Sequence, residues 1–296
     1  MEKGNGQMSY ISRKLYETIH EKGFVCVGLD SHMDYIPTYI KEKYNNDPEA
    51  CLTAYNQAII DATSDITAIY KLQIAYYEAN GIAGLKAYRN TLQYLKQHEL
   101  LSIGDIKRGD IAATAKEYAR AHFDGEFAAD FVTLNPYMGL DSITPYLDYL
   151  KRGDKGIFVL LRTSNPGAED IECLDYQGKP LYFHIGDALQ ELTAEFDNEP
   201  YSPLGLVVGA THAEEASEIR QRYSKQFFLL PGYGAQGAKA ENIRNYLTDF
   251  NGGVVNSSRG IIKYYQKFAD GDTTAAKFAN YTREAVIKMR EDIYGA

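Results

Sequence analysis

The sequence has no tryptophan, three cysteines and six histidines in 296 residues, and it carries 31 Lys and Arg against 40 Asp and Glu, a net charge of −9. Each shortage excludes something. Cys26, Cys51 and Cys173 are odd in number and follow no spacing pattern, which speaks against a disulfide framework. The histidines are scattered, and no pair has metal-ligand spacing, so no metal is expected. The acidic balance argues against a nucleic-acid partner, which needs a basic face for phosphates. A small anionic ligand stays compatible, because local field matters more than net charge. No run approaches the roughly 18 apolar residues that span a bilayer. The opening MEKGNGQMSYISRKL lacks an apolar signal core. These features predict a reduced, cytoplasmic protein with no membrane partner. No Walker loop or G-x-S-x-G elbow occurs.

Hydrophobic residues make up 45% of the chain and charged residues 24%, enough apolar material for a core of normal size. Short apolar runs recur: FVCVGLD (24–30), ITAIYKLQ (66–73), LLSIGDIK (100–107), FVTLNP (131–136), GIFVLLRT (156–163), LGLVVGAT (204–211), QFFLLPGYG (226–234) and GGVVNSSRG (252–260). Their length and β-branched content predict buried parallel strands. Helical spacing lies between them at 83–98, 114–122, 213–223 and 241–250, and a leading helix is expected at 10–22. Eight strand–helix alternations in under 300 residues favour an α/β fold of the (β/α)8 TIM-barrel type over a doubly wound sheet. No linker divides the chain, so 1–296 reads as one barrel domain. Two connections are long. Residues 31–65, after the first strand, are expected to hold a short helix and a longer one from Asp47-Pro48. Residues 164–203, after the fifth, are expected to be loop-rich. Connections of this length often serve an active site.

A barrel carries its chemistry at the C-terminal strand ends. Charged residues gather on the first three: Asp30, Lys71, then Asp105 with Lys107 and Asp110. Asp105 and Lys107 are two apart and share a strand face. A lysine between carboxylates stays an ammonium. Most D-x-K-x-x-D strings are mere surface clusters; the end of a buried strand beside two further charges favours function. Alternation turns Cys26, Gly28 and Asp30 toward the barrel axis, and an inward Asp needs a partner. Pro231-Gly232-Tyr233-Gly234-Ala235-Gln236-Gly237-Ala238 offers Gly-rich backbone before a helix, and Arg259 is expected to end the last strand; the two together suit a phosphate. His212 reads as an ordinary loop histidine.

These residues resemble a known family. Asp105-Ile106-Lys107-Arg108-Gly109-Asp110-Ile111 with Thr114 is similar to the D-x-K-x-x-D-I-x-x-T signature of the orotidine 5′-phosphate decarboxylases. FVCVGLD, Tyr70-Lys71, Thr163-Ser164-Asn165-Pro166-Gly167, PGYGAQGA and NSSRGI resemble the longer bacterial class of that family. The likeness runs from about residue 8 to about residue 290. It implies a lyase without cofactor that converts orotidine 5′-phosphate to uridine 5′-phosphate, the last step of pyrimidine nucleotide synthesis. It assigns Asp30 and Lys71 to the ribose hydroxyls, Asp105 to the neighbourhood of the substrate carboxylate, and Lys107 to proton donation. Ser164 falls to the pyrimidine, and Gly234, Gln236 and Arg259 to the phosphate. Asp110 and Thr114 would reach the neighbouring subunit's site, implying a homodimer. Strand two departs from the family's Lys-Pro-Asn, so Gln73 inherits no role. Related phosphosugar lyases that use Mg2+ place a metal-binding Glu where Lys71 stands. A non-catalytic nucleotide-binding regulator would need the phosphate loop but not the Asp–Lys–Asp network.

Overall fold

The computed structural model describes residues 10–196, 199–211, 213–234 and 239–295. Eight parallel strands close into a barrel: β1 (Val25–Gly28), β2 (Ile69–Gln73), β3 (Ser102–Arg108), β4 (Phe131–Leu134), β5 (Gly156–Arg162), β8 (Ser202–Val208), β9 (Gln226–Leu230) and β10 (Gly253–Ser257). Each lies within or against one of the eight apolar runs. β10 pairs with β1, Cys26 standing opposite Asn256, so the ring has no open edge. A separate two-stranded hairpin, β6 (Asp175–Tyr176) with β7 (Lys179–Pro180), turns through Gln177 and Gly178 at φ 53° and 82°. Among the described residues no helix is long and apolar enough to cross a membrane.

The helices follow local signals. α1 (Ile11–Lys22) precedes the barrel and buries Ile11, Leu15 and Ile19 at helical spacing. The first long connection holds α2 (Thr38–Lys43) and α3 (Pro48–Thr63). Asp47 caps α3 by accepting from the Ala50 N–H at 2.8 Å, and Pro48 sits where a missing N–H costs nothing. α4 (Ile74–Glu78) and α5 (Gly81–Gln97) follow β2, α6 (Ala112–Phe123) follows β3, and α7 (Thr144–Lys151) follows β4. α9 (Ala213–Arg222) joins β8 to β9. α12 (Ala275–Tyr294) closes the layer and stops at Gly295, whose φ of 78° suits glycine.

Two expectations need correction. The second long connection is not mainly loop: it contains α8 (Leu181–Leu192), which buries Tyr182, Phe183, Gly186 and Leu189. The helix expected at 241–250 ends early, as α10 (Ala240–Arg244). Asp249 and Phe250 adopt left-handed backbone, and Thr248 bridges Asn251 in a tight turn, so the apolar spacing there belongs to a turn.

Candidate active site

Local backbone geometry sets the site at the C-terminal rim of β1, β2 and β3. Gly28 faces inward, as alternation requires. A Cβ there would lie 1.9 Å from Ser258 Oγ and 2.9 Å from Asn256 Oδ1, so only glycine lets the ends of β1 and β10 meet. Asp30 follows two residues on. Lys71 pairs in register with Gly28, and Asp105 with Gln73. Three consecutive strands therefore deliver Asp30, Lys71 and Asp105 to one spot.

Their side chains form an alternating chain of charge. The Lys71 ammonium lies 3.2 Å from Asp30 Oδ1 and 2.9 Å from Asp105 Oδ2. Lys107 reaches the other Asp105 oxygen at 2.5 Å. Exposure grades outward: the side chains of Lys71 and Asp105 are each 6% exposed, Asp30 18% and Lys107 43%. Asp105 also accepts from Gln73 Nε2 at 3.1 Å and Thr133 Oγ1 at 2.8 Å. Burial alone would raise its pKa, but the ammoniums of Lys71 and Lys107 outweigh that and hold it below the usual carboxylate range. Burial likewise works against the Lys71 charge, and Asp105 and Asp30 overturn it, keeping this ammonium protonated above its ordinary range. Beneath it, burial pushes the Cys26 thiol up and keeps it neutral.

Lys107 is a special case. Simple alternation puts it on the Asp105 side, but the ladder shifts register between Gly104 and Arg108, and Lys107 has φ 46°. That left-handed conformation is costly for a side-chain-bearing residue and persists where neighbours enforce it. Thr133 is the enforcer. Its Oγ1 accepts from the Lys107 N–H at 2.9 Å while donating to Asp105.

A cavity of about 270 Å³ adjoins this array, lined by Asp30, Lys71 and Asp105 on one side and by Tyr233, Asn256 and Arg259 on the other. Arg259 does not end β10; it opens the four-residue helix α11 (Arg259–Ile262) and is exposed. Gly234 adopts φ 74°, open to glycine at no steric cost. Gln236 and His212 lie outside the described residues.

Not every expected residue joins the cavity. Lys107 meets it only through Asp105. Ser164 is half-buried just past β5 and packs on Gly209, where a Cβ would come within 2.7 Å of its backbone nitrogen. Its loop is anchored by Arg162, whose guanidinium is 1% exposed and lies within 2.9 Å of Glu169 and of Glu215. Asp110 forms no ion pair with Lys107 among the described residues; its carboxylate accepts from the Ile111 N–H at 2.8 Å. Thr114, one turn along α6, is exposed. Sequence reasoning missed Thr133, Gln73 and Asn256. Strand register would have flagged Gln73, opposite Asp105; nothing local flags the other two. Among the described residues, no three His, Cys, Asp or Glu side chains group as metal ligands.

Comparison with known proteins gives a consistent set of relatives. The sequence model of the orotidine 5′-phosphate decarboxylase / HUMPS family matches residues 23–273. An orotidine 5′-phosphate decarboxylase of Petrotoga mobilis is 56% identical over 283 residues, covering 95% of this chain and 96% of that one. One from Clostridium tetani is 53% identical over 285 residues, covering 96% and 97%. Among solved structures, OMP decarboxylase of Leishmania donovani superposes with a TM-score of 0.70 at 27% identity, covering 94% of this chain and 99% of that one.

Proposed function

The chain belongs to the orotidine 5′-phosphate decarboxylase / HUMPS family, and on that premise we propose that it converts orotidine 5′-phosphate to uridine 5′-phosphate and CO2 without a cofactor. The observation that carries the reading is the charge alternation Asp30–Lys71–Asp105–Lys107 at the mouth of the barrel, buried at Lys71 and Asp105, beside a cavity that Arg259 also lines.

When the carbon–carbon bond breaks, CO2 departs and its electron pair stays on the ring carbon. Lys107 stabilises that carbanion and then gives it a proton, regaining one from solvent. An ammonium already fixed by Asp105 needs no reorganisation at that moment, so it favours the transition state over the ground state. The substrate carboxylate would stand near Asp105, and the leaving of CO2 relieves that repulsion. Asp30 and Lys71 take the ribose hydroxyls. Ser164 meets the pyrimidine, and Gly234, Gln236 and Arg259 hold the phosphate, whose binding energy closes loops over the substrate and excludes water. Asp110 and Thr114, with no intrachain role at Lys107, are proposed to complete the site of a second copy in a homodimer.

The Mg2+-dependent lyase reading is disfavoured because Lys71, held as a cation by two carboxylates, would repel a metal. The test is to follow ultraviolet absorbance of orotidine 5′-phosphate with enzyme before and after exhaustive chelation. Equal loss of substrate in both samples is expected. No turnover at all, or turnover that chelation abolishes, overturns the reading.

A further inference from the structure

The segment that carries Asp30 is gripped from behind by a buried polar network. We infer that Asn56, Tyr77 and Thr91 form a positioning device for Asp30, with Asn56 at its centre. Asn56 sits on α3, Tyr77 on α4 and Thr91 on α5, and with Ser31 all four are fully buried. Asn56 Oδ1 accepts from Ser31 Oγ at 2.6 Å. Asn56 Nδ2 donates to Tyr77 Oη and to Thr91 Oγ1, each at 2.9 Å. Tyr77 Oη donates to the Leu29 carbonyl at 2.8 Å, and Thr91 Oγ1 to the Ala87 carbonyl, also at 2.8 Å.

The network thus holds both neighbours of Asp30: Leu29 by its carbonyl and Ser31 by its hydroxyl. Asp30 itself has one ion-pair partner among the described residues, Lys71, at the long distance of 3.2 Å. Its carboxylate is therefore placed by its backbone more than by its own contacts. Every side-chain donor of the network is used, and such networks rigidify their surroundings, whereas an apolar core would do as well for stability alone. The polar groups grip the end of β1, through Leu29 and Ser31, on either side of a site carboxylate.

The inference rests on the proposed assignment of Asp30 to ribose, and the test separates the two. The quantity measured is the kcat/KM ratio of orotidine 5′-phosphate to its deoxyribose analogues. Asp30→Asn is expected to collapse the ratio. Asn56→Leu and the milder Tyr77→Phe should each lower it about tenfold, the cost of one misaligned hydrogen bond to a charged group. In the Asp30→Asn background they should lower it no further. Circular dichroism confirms that each variant is folded, and Tyr77→Phe serves if Asn56→Leu is not. If Asp30→Asn leaves the ratio unchanged, the ribose assignment falls. If Asp30→Asn collapses it but a folded Asn56 or Tyr77 variant does not move it, or moves it equally in both backgrounds, the positioning role falls.

Discussion

Replacing Asp105 with Asn tests the electrostatic core of the site at almost constant shape. The carboxylate accepts four hydrogen bonds: Lys71 at 2.9 Å and Gln73 at 3.1 Å on one oxygen, Lys107 at 2.5 Å and Thr133 at 2.8 Å on the other. An amide has one oxygen. Whichever way it is turned, its NH2 faces one ammonium that can only donate, so at least that charged bond is lost and replaced by donor–donor contact, while Gln73 or Thr133 must turn to accept. The substitution also removes the charge that pairs two ammoniums, leaving Asp30 alone with Lys71. Breaking a buried pair of this kind costs about 3–5 kcal/mol. Asp105→Asn should therefore lower the unfolding free energy in urea by about that amount. It should also reduce turnover by roughly two to three orders of magnitude, because Lys107 loses its one fixed anchor. The pH dependence has a definite sign. The folded pKa of Asp105 lies below its unfolded value, so its contribution is fully present above the ordinary carboxylate pKa and is lost as pH falls toward the folded value. The stability gap between wild type and variant should be flat from neutral pH down to about pH 5 and narrow below about pH 4. A gap under about 1 kcal/mol, or turnover near wild type, would refute the argument.

His122 is buried on α6, and burial followed by the Arg108 charge lowers its pKa to about 4 from 6.5. The unfolded chain then takes the proton first, so stability should fall by roughly 3 kcal/mol as pH drops from 6.5 to 4; His122→Phe should flatten that slope in thermal melts across this window. Arg259→Ala should raise KM and weaken product binding by about 2 kcal/mol, the low end for a charge pair because Arg259 is exposed; calorimetric titration with uridine 5′-phosphate checks it. Mixing Lys107→Ala with Asp110→Ala subunits should restore about a quarter of wild-type activity, since half the dimers are mixed and each has one intact site; no recovery after verified exchange would remove Asp110 from a shared site.

Much of this arrangement is legible in the sequence. The eight apolar runs mark the barrel because a strand buried on both faces must be continuously hydrophobic. Asp30, Lys71 and Asp105 stood out because charge at the end of such a run is expensive without partners. Other parts were hidden for physical reasons. Lys107 reaches Asp105 through a register shift and a left-handed residue, not through plain alternation. Thr133 acts through contacts with residues 26 and 28 positions away and Asn56 through contacts 21 to 35 positions away, which no local pattern encodes. α8 was missed because its polar flanks and the Gln177-Gly178 turn read as loop. The helix expected over 241–250 failed where Asp249 and Phe250 turn left-handed.

Stopped-flow or steady-state absorbance with Lys107→Ala bears most directly on the central claim. With the fold intact by circular dichroism, turnover of orotidine 5′-phosphate should drop by several orders of magnitude while uridine 5′-phosphate still binds. Turnover within a few-fold of wild type would show that the proton and the stabilising charge come from elsewhere.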